Sequence, residues 1–161
     1  MRTITNNTNT NIYFTANTNI NSNSADVIEK WNSVVSDNDT VYVIGNLATD
    51  LTAIEKLNGK IFILLSDKDM HFYRHYLEIM HSKKNKNIIG VESMHILQFN
   101  SINIFLCYNI MPSALGGFLL HLYGDNSMRE TRSNFLNVDF NTHQRLLSVD
   151  EILNLLKKQV A

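Results

Sequence analysis

Two apolar, β-branched runs constrain this chain most. Residues 40 to 44 read TVYVI and stop at Gly45; residues 60 to 65 read KIFILL and stop at Ser66. Neither alternates polar with apolar. Such runs are expected of strands buried on both faces, as in a sheet of parallel strands flanked by other layers. Each ends in turn chemistry, Gly45-Asn46 and Ser66-Asp67. In open α/β sheets the loops after the strands are where ligands are held.

The segments between these runs supply the helices. In ADVIEKWNSVV (residues 25 to 35), Val27, Ile28, Trp31, Val34 and Val35 recur at helical spacing. LTAIEKL reads as a short helix capped by Thr49 or Asp50 and ended by Asn58-Gly59. Residues 69 to 81 read as a helix. SVDEILNLLKK (148 to 158) opens with the Ser148/Glu151 capping box and closes on Lys157 and Lys158, which suit the negative end of the helix dipole. NIYFTA (11 to 16) reads as a first strand. SMHILQF and INIFLCYN read as an antiparallel pair turning at Asn100-Ser101, and GFLLHLYG and FLNVDFN as two later strands. Residues 1 to 10 are Asn/Thr-rich and read as a flexible extension. With no repeat and no interior linker, residues 11 to 161 are expected to form one domain.

Charge excludes several classes of function. The 161 residues carry 14 basic and 15 acidic side chains, for a net charge of -1. That balance gives no global field for nucleic acid or an anionic membrane. The basic run HSKKNKN (81 to 87) reads as a solvated loop. No apolar run is long enough to span a bilayer, and the polar N-terminus has no signal-peptide core. The single cysteine, Cys107, excludes an internal disulfide and sits in a strand without a neighbouring base. A cytoplasmic protein is expected. His71 and His75 lie four apart, a zinc-compatible spacing, but without the Glu of H-E-x-x-H they read as surface histidines. His121, mid-strand, reads as a core residue. SALGG (113 to 117) lacks the Lys-Ser/Thr of a phosphate loop.

The order of segments resembles the small calcineurin-like metallophosphoesterases of bacteria and their phages. The similarity runs through IYFTA, IEKWNSVV, DTVYVIG, KLNGKIFILL, IFLC, LHLYG and SVDEI, over about residues 11 to 153. The resemblance implies a four-layer α/β/β/α sandwich. It also implies two divalent metals at the carboxyl ends of the strands, activating water against a phosphoester.

The family's ligand motifs are replaced throughout. Asn17 and Asn19 stand where D-x-H supplies an Asp and a His. Asn46 stands for the bridging aspartate of G-D. SDKD replaces G-N-H-D/E, with Asp67 at the Asn and Lys68 at the catalytic His. Tyr108 stands for a lone His, and Asp125 and Ser127 for the two His of G-H-x-H. The loop between Asn19 and the Trp31 helix is shortened as well. A dinuclear centre needs an anionic bridge, which a neutral amide cannot supply, and Lys68 adds a cation. Asn46 therefore reads as a lost acid, and no cofactor is expected.

The resemblance thus implies a pseudoenzyme that acts by binding, compatible with a phage protein engaging a host factor. A protein partner is the first expectation, because the emptied site is Asn-rich rather than basic. Two rivals stand beside it. One is a nucleotide held without cleavage, with Lys68, Arg129 or Arg132 on its phosphate. The other is a residual phosphodiesterase with a single hard cation on Asp67 and Asp125, to which Asp69 and Asp139 would be further oxygen donors. Partner identity and oligomeric state are not encoded in any motif.

Overall fold

The computed structural model describes residues 2–4, 10–84, 87–99, 102–110, 119–127 and 134–160. Its chain forms a mixed α/β domain around two five-stranded sheets. The first sheet contains β2 (Ile12–Thr15), β3 (Thr40–Ile44), β4 (Lys60–Leu64) and β5 (Ile88–Glu92), all parallel. β10 (Leu147–Ser148) adds antiparallel to β2, giving the order β10-β2-β3-β4-β5. The second sheet runs β1-β6-β7-β8-β9, from β1 (Arg2–Ile4), β6 (Met94–Phe99), β7 (Ile102–Cys107), β8 (Leu119–Tyr123) and β9 (Phe135–Asn137). β6 and β7 are antiparallel, as expected, and the other pairs are parallel. Asn100 and Ser101, the expected turn between them, lie outside the described residues. The chain steps from one sheet to the other across Ser93 alone.

The double-sided burial of β3 and β4 follows from two separate cores. Tyr42, Ile44, Phe62 and Leu64 point into a cluster shared with Leu97, Ile104, Leu106, Leu120 and Leu122 of the second sheet. Val41, Val43, Ile61 and Ile63 point the other way, onto Trp31 of α1 (Ala25–Val34) and Tyr76 of α2 (Tyr73–His81). Each fully buried aliphatic side chain contributes about 1.5–3 kcal/mol. Trp31 is fully buried and still satisfies its indole, donating Nε1–H to Asn58 O at 2.9 Å. Val149, Ile152 and Leu153 of α4 (Val149–Val160) join the inter-sheet cluster. That helix begins with the expected capping box: Ser148 N–H donates to Glu151, and Glu151 N–H donates to Ser148 Oγ. The side chain of Lys157 lies outside the described residues.

Several expectations need correction. The stretch expected to be a flexible extension contains β1, whose Arg2–Ile4 pairs in register with Leu97–Phe99. The open edge of β6 supplies a partner that local composition could not reveal. Residues 51–56 and 67–72 are 3-10 turns rather than α-helix, and α2 begins only at Tyr73. β5 has no counterpart in the sequence reading because Gly90 interrupts IIGVE and reads as a breaker. It is there to make room: a Cβ at Gly90 would lie 2.3 Å from the Phe62 ring. The strand expected over residues 135 to 141 stops at Asn137. Asp139 then accepts from Thr142 N–H at 2.9 Å and caps the one-turn helix α3 (Phe140–His143). Among the described residues, no helix is long and apolar enough to cross a membrane.

Candidate functional site

The carboxyl ends of β2, β3, β4, β7 and β8 open onto one cleft of about 520 Å³. Its lining includes Asn17, Asn19, Asn46, Asp67, Lys68, Tyr108, Asp125 and Ser127. Those are all eight positions singled out in the sequence, drawn from five separate segments. Three more asparagines, Asn109, Asn126 and Asn141, complete it. Arg129 and Arg132 lie outside the described residues, as does SALGG.

Asparagine is suited to these loops by its backbone. Asn17, Asn19 and Asn46 have φ of 55°, 45° and 55°, a left-handed conformation that costs most residues 1–2 kcal/mol and that Asn tolerates better. The turns interlock: Asn17 N–H donates to Gly45 O, and Asn19 N–H donates to Asn46 O, each at 2.9 Å.

The side chains then close a continuous polar network. Asn17 Nδ2 donates to Gly124 O at 2.7 Å and to Asp139 Oδ1 at 2.8 Å. Asn17 Oδ1 accepts from Asn46 Nδ2 at 2.7 Å, and the same amide donates to the Tyr108 hydroxyl at 3.2 Å. The Ser66 hydroxyl lies 2.7 Å from both Asn46 Oδ1 and Asp69 Oδ2, so its one proton serves either acceptor. Asp69 Oδ2 also accepts the backbone N–H of Asn46 and of Ser66, each at 2.8 Å. The chain of bonds thus runs from one buried carboxylate, Asp139, to another, Asp69, through two neutral amides and a hydroxyl.

This arrangement does not fit a dinuclear metal centre. Of the three amides at the expected ligand positions, Asn17 Oδ1 accepts from Asn46, Asn46 Oδ1 shares the Ser66 proton with Asp69, and all three NH₂ groups face neighbouring oxygens. Among the described residues, no group of three or more His, Cys, Asp or Glu is placed to hold a metal ion. That also corrects the single-cation expectation in its four-carboxylate form. Asp67 and Asp125 line the cleft, but Asp69 and Asp139 are buried behind it and bound to N–H and O–H donors. His71 and His75 are exposed, as expected, with the His71 ring tilted against Phe72 at a centroid distance of 3.8 Å. His121 is buried, 5.0 Å from the Phe105 ring and 4.9 Å from Phe135. Burial raises the pKa of the Cys107 thiol, which keeps it protonated and unreactive.

No protein-family model matches the chain, and no curated protein matches it. A solved structure is similar. A protein of unknown function from Aquifex aeolicus superposes with a TM-score of 0.66 over 91% of this chain and 100% of its own, at 13% identity. That likeness establishes a shared fold.

Electrostatics separates the site's two levels. Burial raises the Tyr108 hydroxyl pKa; the hydrogen bond from Asn46 opposes this, while Asp125, Asp69 and Asp139 add to the rise. The phenol is therefore held neutral. For Asp139, burial works upward, but hydrogen bonds from Asn17, Thr142 and Asn126 outweigh it and lower the pKa from its ordinary 3.8. A carboxyl with a depressed folded pKa stabilises the fold above its unfolded pKa and loses that contribution as pH falls through the folded value. Asp139→Asn is accordingly expected to lower stability at neutral pH by about 1–3 kcal/mol. The gap to wild type should narrow in acid. Thermal melts at neutral pH and near pH 3, below the ordinary value for Asp, test this. A gap that widens in acid would remove Asp139 as the network's charged anchor.

Ser66, Asn109, Asn126 and Asn141 were missed in the sequence. For Ser66 a signal existed: S-x-x-D over Ser66–Asp69 is a capping-box pattern, and the structure forms both of its bonds. For the three asparagines no local signal distinguishes a cleft residue from any other turn residue.

Proposed function

We propose that this chain is a degenerate member of the calcineurin-like metallophosphoesterases, built as their four-layer sandwich, that has lost catalysis and acts by binding a protein partner. One observation carries the reading. Two central positions where the family resemblance calls for metal-binding acids are bound internally, Asn17 by Asn46 and Asn46 by Ser66. A site awaiting a metal keeps lone pairs directed at open space; here they are used to hold the loops together. A scaffold kept after its chemistry is gone is useful for its surface. The inter-sheet core and the cleft at the strand ends support the family's architecture. The single cysteine accords with a cytoplasmic setting, and the family's occurrence in phages with a phage-encoded protein engaging a host factor.

The expected result is phosphodiesterase activity at background on aryl phosphate diesters and cyclic nucleotides, with or without Mn²⁺. Elemental analysis of the purified protein should find no stoichiometric Mn, Fe, Zn or Ni. The rival reading, a phosphodiesterase with one cation on Asp67 and Asp125, draws on both carboxylates lining the cleft. Metal-dependent turnover abolished by Asp125→Ala would establish that rival and end the pseudoenzyme reading.

A further inference from the structure

Among the described residues, the charge around the cleft is mostly negative. Asp67 and Asp125 line it, and Asp69 and Asp139 lie one hydrogen bond behind Asn46 and Asn17. Among the described residues that line or back the cleft, Lys68 is the one basic side chain. The field reaches the centre of the site, since three of these carboxylates act on the Tyr108 hydroxyl. Phosphate is disfavoured in such a cleft, and a cation is favoured.

The turn that brings Asp67 and Lys68 to the cleft also leads to exposed large apolar side chains. The three-residue period of the 67–72 turn sets Asp67, Met70 and Tyr73 in line. Met70 is 56% exposed and Tyr73 is 40% exposed. Met and Tyr are enriched at protein interfaces, where large side chains anchor the contact. Here they follow in the chain directly on Asp67 and Lys68, which line a polar cleft of a size suited to an inserted group.

Building on the binding reading above, we infer that the cleft and the Asp67–Met70–Tyr73 edge form one docking surface for a protein segment that presents an arginine or lysine beside an apolar residue. The cation enters between Asp67 and Asp125, where the carboxylates accept its hydrogen bonds. The apolar neighbour packs on Met70 and Tyr73. The Asn17–Asn46–Ser66 network holds the cleft's floor in one shape, so little ordering is left to be done on association.

A display library of short random peptides, panned on the full chain, tests this. Enriched peptides should carry Arg or Lys next to an apolar residue, and added salt should weaken them. Their affinity should fall at least about tenfold in the Asp67→Asn, Asp125→Asn double variant. It should fall several-fold in Met70→Ala, Tyr73→Ala and rise in Lys68→Glu, which supplies a gain of binding that misfolding cannot mimic. Free arginine and spermidine should compete only far above the peptide concentration. The inference is overturned if nothing is enriched, if acidic peptides are enriched, or if the Asp variants bind unchanged. It is equally overturned if AMP or spermidine competes at peptide concentrations, which would make this a small-molecule site. Metal-dependent turnover without loss of peptide binding would remove the pseudoenzyme reading alone.

Discussion

Asn46→Asp is expected to destabilise the protein near neutral pH in the presence of a chelator, by about 3–5 kcal/mol, the cost of an uncompensated buried charge. Asn46 is 8% exposed. Its Nδ2 donates to Asn17 Oδ1 at 2.7 Å, so the substitution sets a carboxylate oxygen against a carbonyl oxygen. Its backbone N–H is already bound to Asp69 at 2.8 Å, which brings a second carboxylate close. Asn46→Ala loses the side-chain bonds to Asn17, Tyr108 and Ser66 and adds the left-handed penalty of φ 55°, but introduces no charge. Its cost should be smaller, about 2–3 kcal/mol. The two variants also differ in pH dependence. Burial and Asp69 raise the new carboxyl's folded pKa above its unfolded value. Its penalty is therefore small below the unfolded pKa, about 3.9, and grows as pH rises through the folded one. Thermal melts should place Asn46→Asp well below Asn46→Ala at neutral pH and near it at about pH 4, close to the unfolded carboxyl value. An Asn46→Asp midpoint at or above wild type without added metal would mean that Asn46 is an ordinary exposed turn residue.

The limits of the sequence are visible at the same residues. Val41 and Tyr42 are both apolar, so their run announced burial on two faces, and the structure sends one to the helices and the other between the sheets. Apart from the β6–β7 pair, which strands lie side by side was not legible, because pairing depends on edges far away in the chain, as β1 on β6 shows. At the site, the resemblance located Asn17, Asn46, Tyr108 and Asp125, and the cleft does collect them. The partners of their amides were not legible. Asn17 meets Gly124 and Asp139 across more than a hundred residues, and nothing in NTNI or VDFN specifies that meeting. A sequence shows an amide where the resemblance calls for an acid; only the fold shows that the amide is bound into a hydrogen-bond network.

Gly124→Ala and Gly45→Ala are expected to be severe for different reasons, and Tyr108 separates them. The two glycines lie where the ends of β3 and β8 approach beneath the Tyr108 ring. A Cβ at Gly45 would fall 2.2 Å from Tyr108 Cδ2, and the φ of 83° there disfavours any L side chain. A Cβ at Gly124 would fall 2.3 Å from the backbone oxygen of Ile44 and 2.7 Å from Ala16 Cβ. A side chain can swing away, whereas a strand carbonyl between two sheets cannot. Overpacking costs about 1–3 kcal/mol and more when backbone must shift, so Gly124→Ala should exceed that range or fail to fold. Gly45→Ala should cost the overpacking plus about 1–2 kcal/mol of left-handed strain. Tyr108→Ala removes the first obstacle and leaves the second. In a double-mutant cycle, Tyr108→Ala should therefore recover about 1–2 kcal/mol in the Gly45→Ala background, within the coupling range for residues in contact. In the Gly124→Ala background it should recover much less, since the Ile44 carbonyl remains. Equal recovery in both would mean that the tyrosine ring, rather than the meeting of the two sheets, sets the spacing at the base of the cleft.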